Sequence, residues 1–533
     1  MTSNIHASDL SDREKRLLFW ASFLSLTAAG VGFAFRMAKG GEYGEALGLS
    51  NQQVGEVFGA SLWPIALTMI GFSLVVDRTG YKMPMIGAFV LQAVSAVGIC
   101  MSESYQSLYL FTICAGLGHG IIEAVINPIC AAVYPKEKTK WLTILHAAWP
   151  AGMMLGTLVI LISDSFVDGG VGWQMHSLWM LIPAAAYLVM YMPCKFPVDE
   201  RVQAGVPYRE MLQQVGALTA ALAAFLMTYE VGNQIFQLTG WFEKPDSWFS
   251  ISLGVGIALG LGFGLLVGSL GRPLFFLMCL LMIPVATAEL GTDAWIRNLM
   301  APVLTGYEIN PAMALVFSAA IMLTLRVFAG GVLKFFSPPG LLCVSGIFSA
   351  VGLYWLAGAT GAAVFVAFVF YALGQTYYWP CILGFTSERY PRGGALTLNT
   401  VSAIGLLSFG VIGAPILGAF FDESIHESVV ADAPELAESA STEGGFMWMT
   451  HKKIDAAKAG EFAANLNEAD QASLAEVYSK SGSAQLGSAQ LEAGRGALKF
   501  AARFPALLFV IFGIIALYFR SKGGYKPIEL TEE

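Results

Sequence analysis

The sequence predicts an all-α integral membrane protein, and three observations predict it. Of 533 residues, 56% are hydrophobic and 13% charged, where a soluble domain carries about 25% charged residues. Mean hydropathy is +0.63. Apolar runs long enough to cross a bilayer as helices recur from one end of the chain to the other, and charges gather in the stretches between them.

Composition also excludes several classes. The net charge is -8, and no basic tract is long enough to track phosphates, so no nucleic-acid partner is expected. Seven cysteines (Cys100, Cys114, Cys130, Cys194, Cys279, Cys343 and Cys381) lie in or at the ends of apolar segments, with no CxxC pair. Neither a disulfide framework, a metal site nor a cofactor is called for. HExxH, a nucleophile elbow in a suitable context and a phosphate-binding Gly-Lys-Ser/Thr are all missing, so no enzyme is expected.

Taken in order, the first apolar run covers 17–35 and lacks a small-residue cleavage site, so it reads as an uncleaved span. After a glycine-rich loop, Ser50 is placed to cap a second span over 51–76. Spans follow at 83–101, 108–133, 141–162 and 178–192. A charged linker leads to two Gly/Ala-rich segments, 217–236 and 248–270, and then to spans at 274–290, 312–332, 341–357, 362–383, 396–420 and 504–519. That makes about fourteen spans and puts both termini on one side. With the termini cytoplasmic, inner loops hold Arg78, Lys82, Lys136, Lys138, Lys140, Lys195, Arg201, Arg209, Arg272, Lys334, Arg389 and Arg392. Short outer loops hold only Arg36, Lys39, Lys244 and Arg297. This positive-inside bias fits an inner (plasma) membrane only if the two middle segments cross as a pair.

The expected divisions are 1–194, a six-helix bundle; 195–272, a linker plus the extra pair; 273–421, helices 7 to 11 of a second bundle; 422–499, an extracytoplasmic polar insert; and 500–533, the last span and tail. The insert reads as loop or linker with one or two amphipathic helices.

The span over 108–133 carries His119, Glu123 and Asn127 every fourth residue, on one helical face. Such a stripe against hydrocarbon would cost several kcal/mol, so it faces protein or a wet cavity. A second stretch echoes it. Glu123 and Pro128 correspond to Gln375 and Pro380, Tyr134-Pro135-Lys136 to Tyr390-Pro391-Arg392, and His146 and Gly152 to Asn399 and Gly405. Repeated halves mark secondary transporters, whose sites form between the repeats.

The stretch Ser73-Leu74-Val75-Val76-Asp77-Arg78-Thr79-Gly80-Tyr81-Lys82 resembles the loop between helices 2 and 3 of the major facilitator superfamily, Gly-x-x-x-Asp-Arg-x-Gly-Arg-Lys/Arg. Here Ser73 replaces the first glycine and Tyr81 an arginine. The resemblance implies two six-helix bundles, with the extra pair inserted between them. It also implies that Asp77, Arg78, Gly80 and Lys82 gate the inner ends, the aspartate capping a neighbouring helix or pairing with a basic residue. Glu123-Ala124-Val125-Ile126-Asn127-Pro128 is similar to the helix-4 motif of the fucose permease-like sugar:proton symporters, in which the glutamate takes part in proton coupling and sugar recognition. The helix-1 acid of that branch is missing, and Arg36 stands nearby.

Glu123 is the first candidate for carrying the proton, or another cation, with His119 and His146 as relays. Arg36 could pair with Glu123 or hold an anion. By helical rise, however, it lies about 30 Å from the inner surface against about 18 Å for Glu123, and it could instead snorkel outward. Glu289 and Asp293 share a face near Trp295, where Pro284 and Gly291 invite a break. Gln375, Tyr377, Tyr378 and Trp379 form a polar-aromatic cluster suited to sugar hydroxyls and rings. Asn127 and Asn399 are hydroxyl ligands or helix–helix glue, and for Arg326 gating and lipid contact weigh equally. These expectations describe a monomeric secondary transporter in a lipid bilayer, coupled to protons and moving a small polar solute. A sugar is the first choice and an organic anion on Arg36 the second; a non-transporting sensor of the same fold is the alternative class.

Overall fold

The computed structural model describes residues 5–49, 51–167, 170–239, 243–291, 309–310, 312–446, 449–478 and 487–530. Ser50, Asp293, Trp295 and Arg297 lie outside these residues. Among the described residues, eleven helices are long and apolar enough to cross a membrane, and a shorter apolar one, Met313–Val327, accompanies them. Two further crossings are built from helical pieces, which makes the set compatible with fourteen.

The first bundle comprises α1 (Asp12–Ala46), α2 (Gln53–Ser73), α3 (Lys82–Cys100), α4 (Tyr105–Val133), α5 (Lys138–Phe166) and α6 (Leu181–Tyr191). Ser11 starts α1 by a reciprocal cap with Glu14, and Ser104 starts α4 in the same way with Ser107. The expected glycine-rich loop after residue 35 is instead helix through Ala46. Lys39 explains this: it is buried and bonded to Glu42 and, at 2.8 Å, to Asp164 of α5, so the helix continues without an unpaired charge.

A short linker helix, α7 (Glu200–Gln203), leads to the inserted pair α8 (Tyr208–Thr239) and α9 (Trp248–Val267). These two pack through glycines: any side chain at Gly256 or Gly260 would collide with Phe225 or Ala221 of α8. The opposite face of α9 presents Ile257, Leu259, Leu261 and Leu265 outward, as a lipid-facing helix must. The second bundle comprises α10 (Pro273–Ala286), α11 (Met313–Val327), α12 (Pro338–Gly358), α13 (Ala363–Gln375) with α14 (Tyr378–Arg389), α15 (Gly394–Ser408) and the last span. Two π-helical turns, Thr287–Gly291 after α10 and Phe409–Gly413 after α15, touch each other.

The bundles meet where α2 packs on α15 and α5 on α11. The described residues nearest both ends lie on one face. Val198 N–H donates to Ile5 O at 3.0 Å, and Ile528 N–H donates to Glu388 O at 2.8 Å. This face is called the terminal face below.

The insert differs from the expected loop. Beyond α16 (Ala414–Asp432), which runs well past the apolar stretch, come α17 (Pro434–Ala440), an antiparallel hairpin of β1 (Ser441–Phe446) and β2 (Met449–Ile454), then α18 (Ala456–Ala464), α19 (Glu468–Val477) and α20 (Ser488–Ala501). It has its own small core, including Ile425, Val429, Leu436 and Ala459. The last span, α21 (Arg503–Ser521), follows directly from α20. The insert's apolar residues are few and dispersed in sequence, which is why it read as linker.

Candidate functional site

Prolines decide where the bundles touch. A proline inside a helix has no N–H to give to the carbonyl four residues earlier, so that oxygen is left without its helical partner. Three such carbonyls near the seam take a side chain instead. Pro128 frees Ala124 O, which accepts from Asn399 Nδ2 of the opposite bundle at 3.1 Å. Pro150 frees His146 O, which accepts from Arg326 Nη1 of the opposite bundle at 3.0 Å. Pro380 frees Thr376 O, which accepts from Arg326 Nε at 2.8 Å.

Arg326 is therefore not lipid-facing. It is 2% exposed, and its Nη2 lies 3.2 Å from Glu289 Oε1. A polar chain continues into the first bundle. His146 Nε2 and Asn127 Oδ1 are 3.0 Å apart, and Asn127 Nδ2 donates to Glu123 Oε2 at 2.9 Å. Glu123 and Glu289, on different bundles, are thus joined by Asn127, His146 and Arg326.

Beside this chain lies a cavity of about 110 Å³. His119, Glu123 and His146 line it from the first bundle, and Glu289, Arg326 and Ser402 from the second. His119 stacks on Trp149, centroids 5.1 Å apart, and its Nε2 stands 3.8 Å from Glu123 Oε1. Neither His119 Nε2 nor Ser402 Oγ has a hydrogen-bond partner among the described residues. The remaining wall is aromatic and aliphatic, with Phe33, Phe58, Trp149, Trp379 and Phe409 prominent.

Other expected residues fall elsewhere. Asn127 sits behind the carboxylate, bonded on both sides. Asn399 also donates to Ser73 Oγ at 2.7 Å and acts as glue. Gln375 is fully buried with its Nε2 toward Met322 Sδ, Tyr377 donates to Leu325 O, and Tyr378 donates to Ser345 O. None of the three lines the cavity. Arg36 neither pairs with Glu123 nor snorkels: it is 5% exposed, away from the cavity lining, and its Nε has no hydrogen-bond partner among the described residues. Of the expected gating set, Asp77 pairs with Arg201, Lys82 Nζ donates to Met192 O at 2.7 Å, Arg78 is exposed, and Gly80 has φ 63°, a conformation that favours glycine.

Two helical bundles that enclose a largely apolar cavity with a few polar groups at their seam match the architecture of a membrane transporter. The chain belongs to the Major Facilitator Superfamily, whose sequence profile matches residues 17–418. Solved structures share the fold at low identity. A proton:xylose symporter bound to 6-bromo-6-deoxy-D-glucose is 13% identical, with 95% of this chain and 96% of that chain covered and a TM-score of 0.60. The E. coli fucose:proton symporter is 12% identical (94% and 98% covered, TM-score 0.54). The human organic anion transporter MFSD10 is 10% identical (93% and 99% covered, TM-score 0.55). In sequence, the chain is 25% identical over 173 residues to the synaptic vesicular amine transporter of Rattus norvegicus, a match spanning 32% of this chain and 33% of that protein.

Proposed function

We propose that this chain is a monomeric, proton-coupled secondary transporter of a plasma (inner) membrane, with cytoplasmic termini, that moves a small solute by alternating access. One observation carries the reading. Of the two carboxylates at the cavity, Glu289 has a guanidinium partner, whereas Glu123 is held by an amide and flanked by an imidazole. Glu123 can therefore gain or lose a proton without stranding a buried cation. Its state is felt across the seam through Asn127, His146 and Arg326.

The cavity wall supports a solute with an apolar body and one hydrogen-bonding head, received by Glu123, His119 Nε2 and Ser402 Oγ. A sugar is the second reading, favoured by the indoles of Trp149 and Trp379, since aromatic faces stack on sugar rings. The amides and phenols first expected to read its hydroxyls are engaged elsewhere. An organic anion on Arg36 finds no support, because Arg36 is not a cavity residue.

The test is uptake by reconstituted protein under an imposed pH gradient, comparing phenethylamine with D-xylose. Gradient-driven accumulation of either beyond that of protein-free liposomes under the same gradient supports the transporter. Saturable binding of a solute without movement would instead favour the sensor.

A further inference from the structure

The charged linker after the first bundle does more than connect. Three consecutive residues, Asp199, Glu200 and Arg201, each hold a different part of the terminal face. Asp199 Oδ2 accepts from the backbone N–H of Ala395 at 3.0 Å and from Tyr81 Oη at 3.2 Å. Ala395 is in the first turn of α15, where backbone N–H groups lack helical acceptors and the helix dipole favours an anion. The approach is close: a Cβ built on Gly394 would lie 2.5 Å from Asp199 Oδ1, and Gly394 has φ +48°. Glu200 receives Lys138 Nζ of α5 at 2.6 and 2.8 Å, and Lys138 also donates to Ser387 O of α14 at 3.3 Å. Arg201 pairs with Asp77 of the loop after α2 and donates to Val206 O at 2.7 Å.

The loop aspartate, Asp77, thus pairs with a base, and the carboxylate at the start of α15 comes from the linker. Tyr81, which stands where the family pattern has arginine, supplies a hydroxyl to that same carboxylate. We infer that the linker trio is the lock that holds the terminal face of the seam shut, with Asp199, rather than Asp77, as the residue that positions α15. Opening this face requires Asp199 to leave Ala395. Because the linker runs directly into α8, the inserted helix pair is drawn into that movement.

The inference uses the alternating-access reading only for its effect on flux, so its test reads accessibility and needs no solute. Ala131 of α4 lines the crevice beside Asp199, Glu200 and Leu398. Ala131→Cys, in full-length protein with Cys100, Cys114, Cys194 and Cys343 replaced by serine, reports that crevice through its rate of labelling by a membrane-impermeant maleimide. Loss of the oxygen that accepts from Ala395 N–H predicts about a tenfold rise in rate for Asp199→Ala. Asp77→Asn should raise it less, because Arg201 retains Val206 O. Ala395→Pro removes the accepted N–H without altering the linker, at a helix start that tolerates proline. It should raise labelling as Asp199→Ala does, and the two together should add nothing further. An unchanged rate in both Asp199→Ala and Ala395→Pro, or a rise in Asp77→Asn equal to that of Asp199→Ala, would overturn the assignment.

Discussion

At the scale of residues, the site depends on how few of its charges are unpaired. Arg326 is bonded to a carboxylate and two carbonyls inside the membrane. Removing one partner of such a buried pair costs about 3–5 kcal/mol. Arg326→Met should therefore lower the melting temperature markedly, and adding Glu289→Gln should recover part of the loss. Equal melting of the single and double variants would argue that the pair is energetically idle. Asp199 offers a test by pH. Burial pushes its carboxyl above the usual carboxylate range, against the pull of Arg201. A folded value above the unfolded one gives a contribution that is full below the ordinary aspartate value and lost as pH rises through the raised value. Wild type should thus gain stability relative to Asp199→Asn as pH falls from 7 toward 4.5, and parallel melting curves would contradict this. Sequence alone exposed Glu123, His119, His146 and Glu289, because ionisable groups are conspicuous in apolar helices. The cavity aromatics Phe33, Phe58 and Phe409 were not legible, since composition cannot separate a cavity wall from a lipid face.

At the scale of elements, proline sets the contacts between bundles. Asn399 was legible as glue, but its target was not, because Ala124 O looks like any helical carbonyl until Pro128 is considered. The same logic reaches Arg326 through Pro150 and Pro380, and these prolines were the available signal for a role that composition left open. Asn399→Ala should cost about 1–3 kcal/mol by leaving Ala124 O without a donor. In a Pro128→Ala background the helix regains its own N–H to that oxygen, so the same change should cost clearly less. Equal costs in urea-dependent unfolding of the two backgrounds would show that the freed carbonyl is not what Asn399 satisfies. The insert was the least legible element. Its core uses isolated residues such as Val429 and Leu436, brought together only by the hairpin and the extension of α16.

At the scale of the whole molecule, the order of crossings and the placing of the inserted pair were readable from hydropathy and loop charge, which the bilayer enforces on every span. How the halves lock was not readable, because it rests on bonds between residues far apart in sequence, such as Thr139 with Glu388 at 2.6 Å and Asp199 with Ala395. These bonds close the terminal face, while Glu123, Asn127, His146, Arg326 and Glu289 join the halves beside the cavity. In the proposed mechanism, rocking of the bundles breaks both sets, and a proton on Glu123 is the proposed trigger for the inner one. The most direct test is transport by Glu123→Gln in proteoliposomes, once a solute is in hand. The account predicts that solute-for-solute counterflow persists while accumulation driven by a pH gradient is abolished. Gradient-driven accumulation at the wild-type level would contradict it.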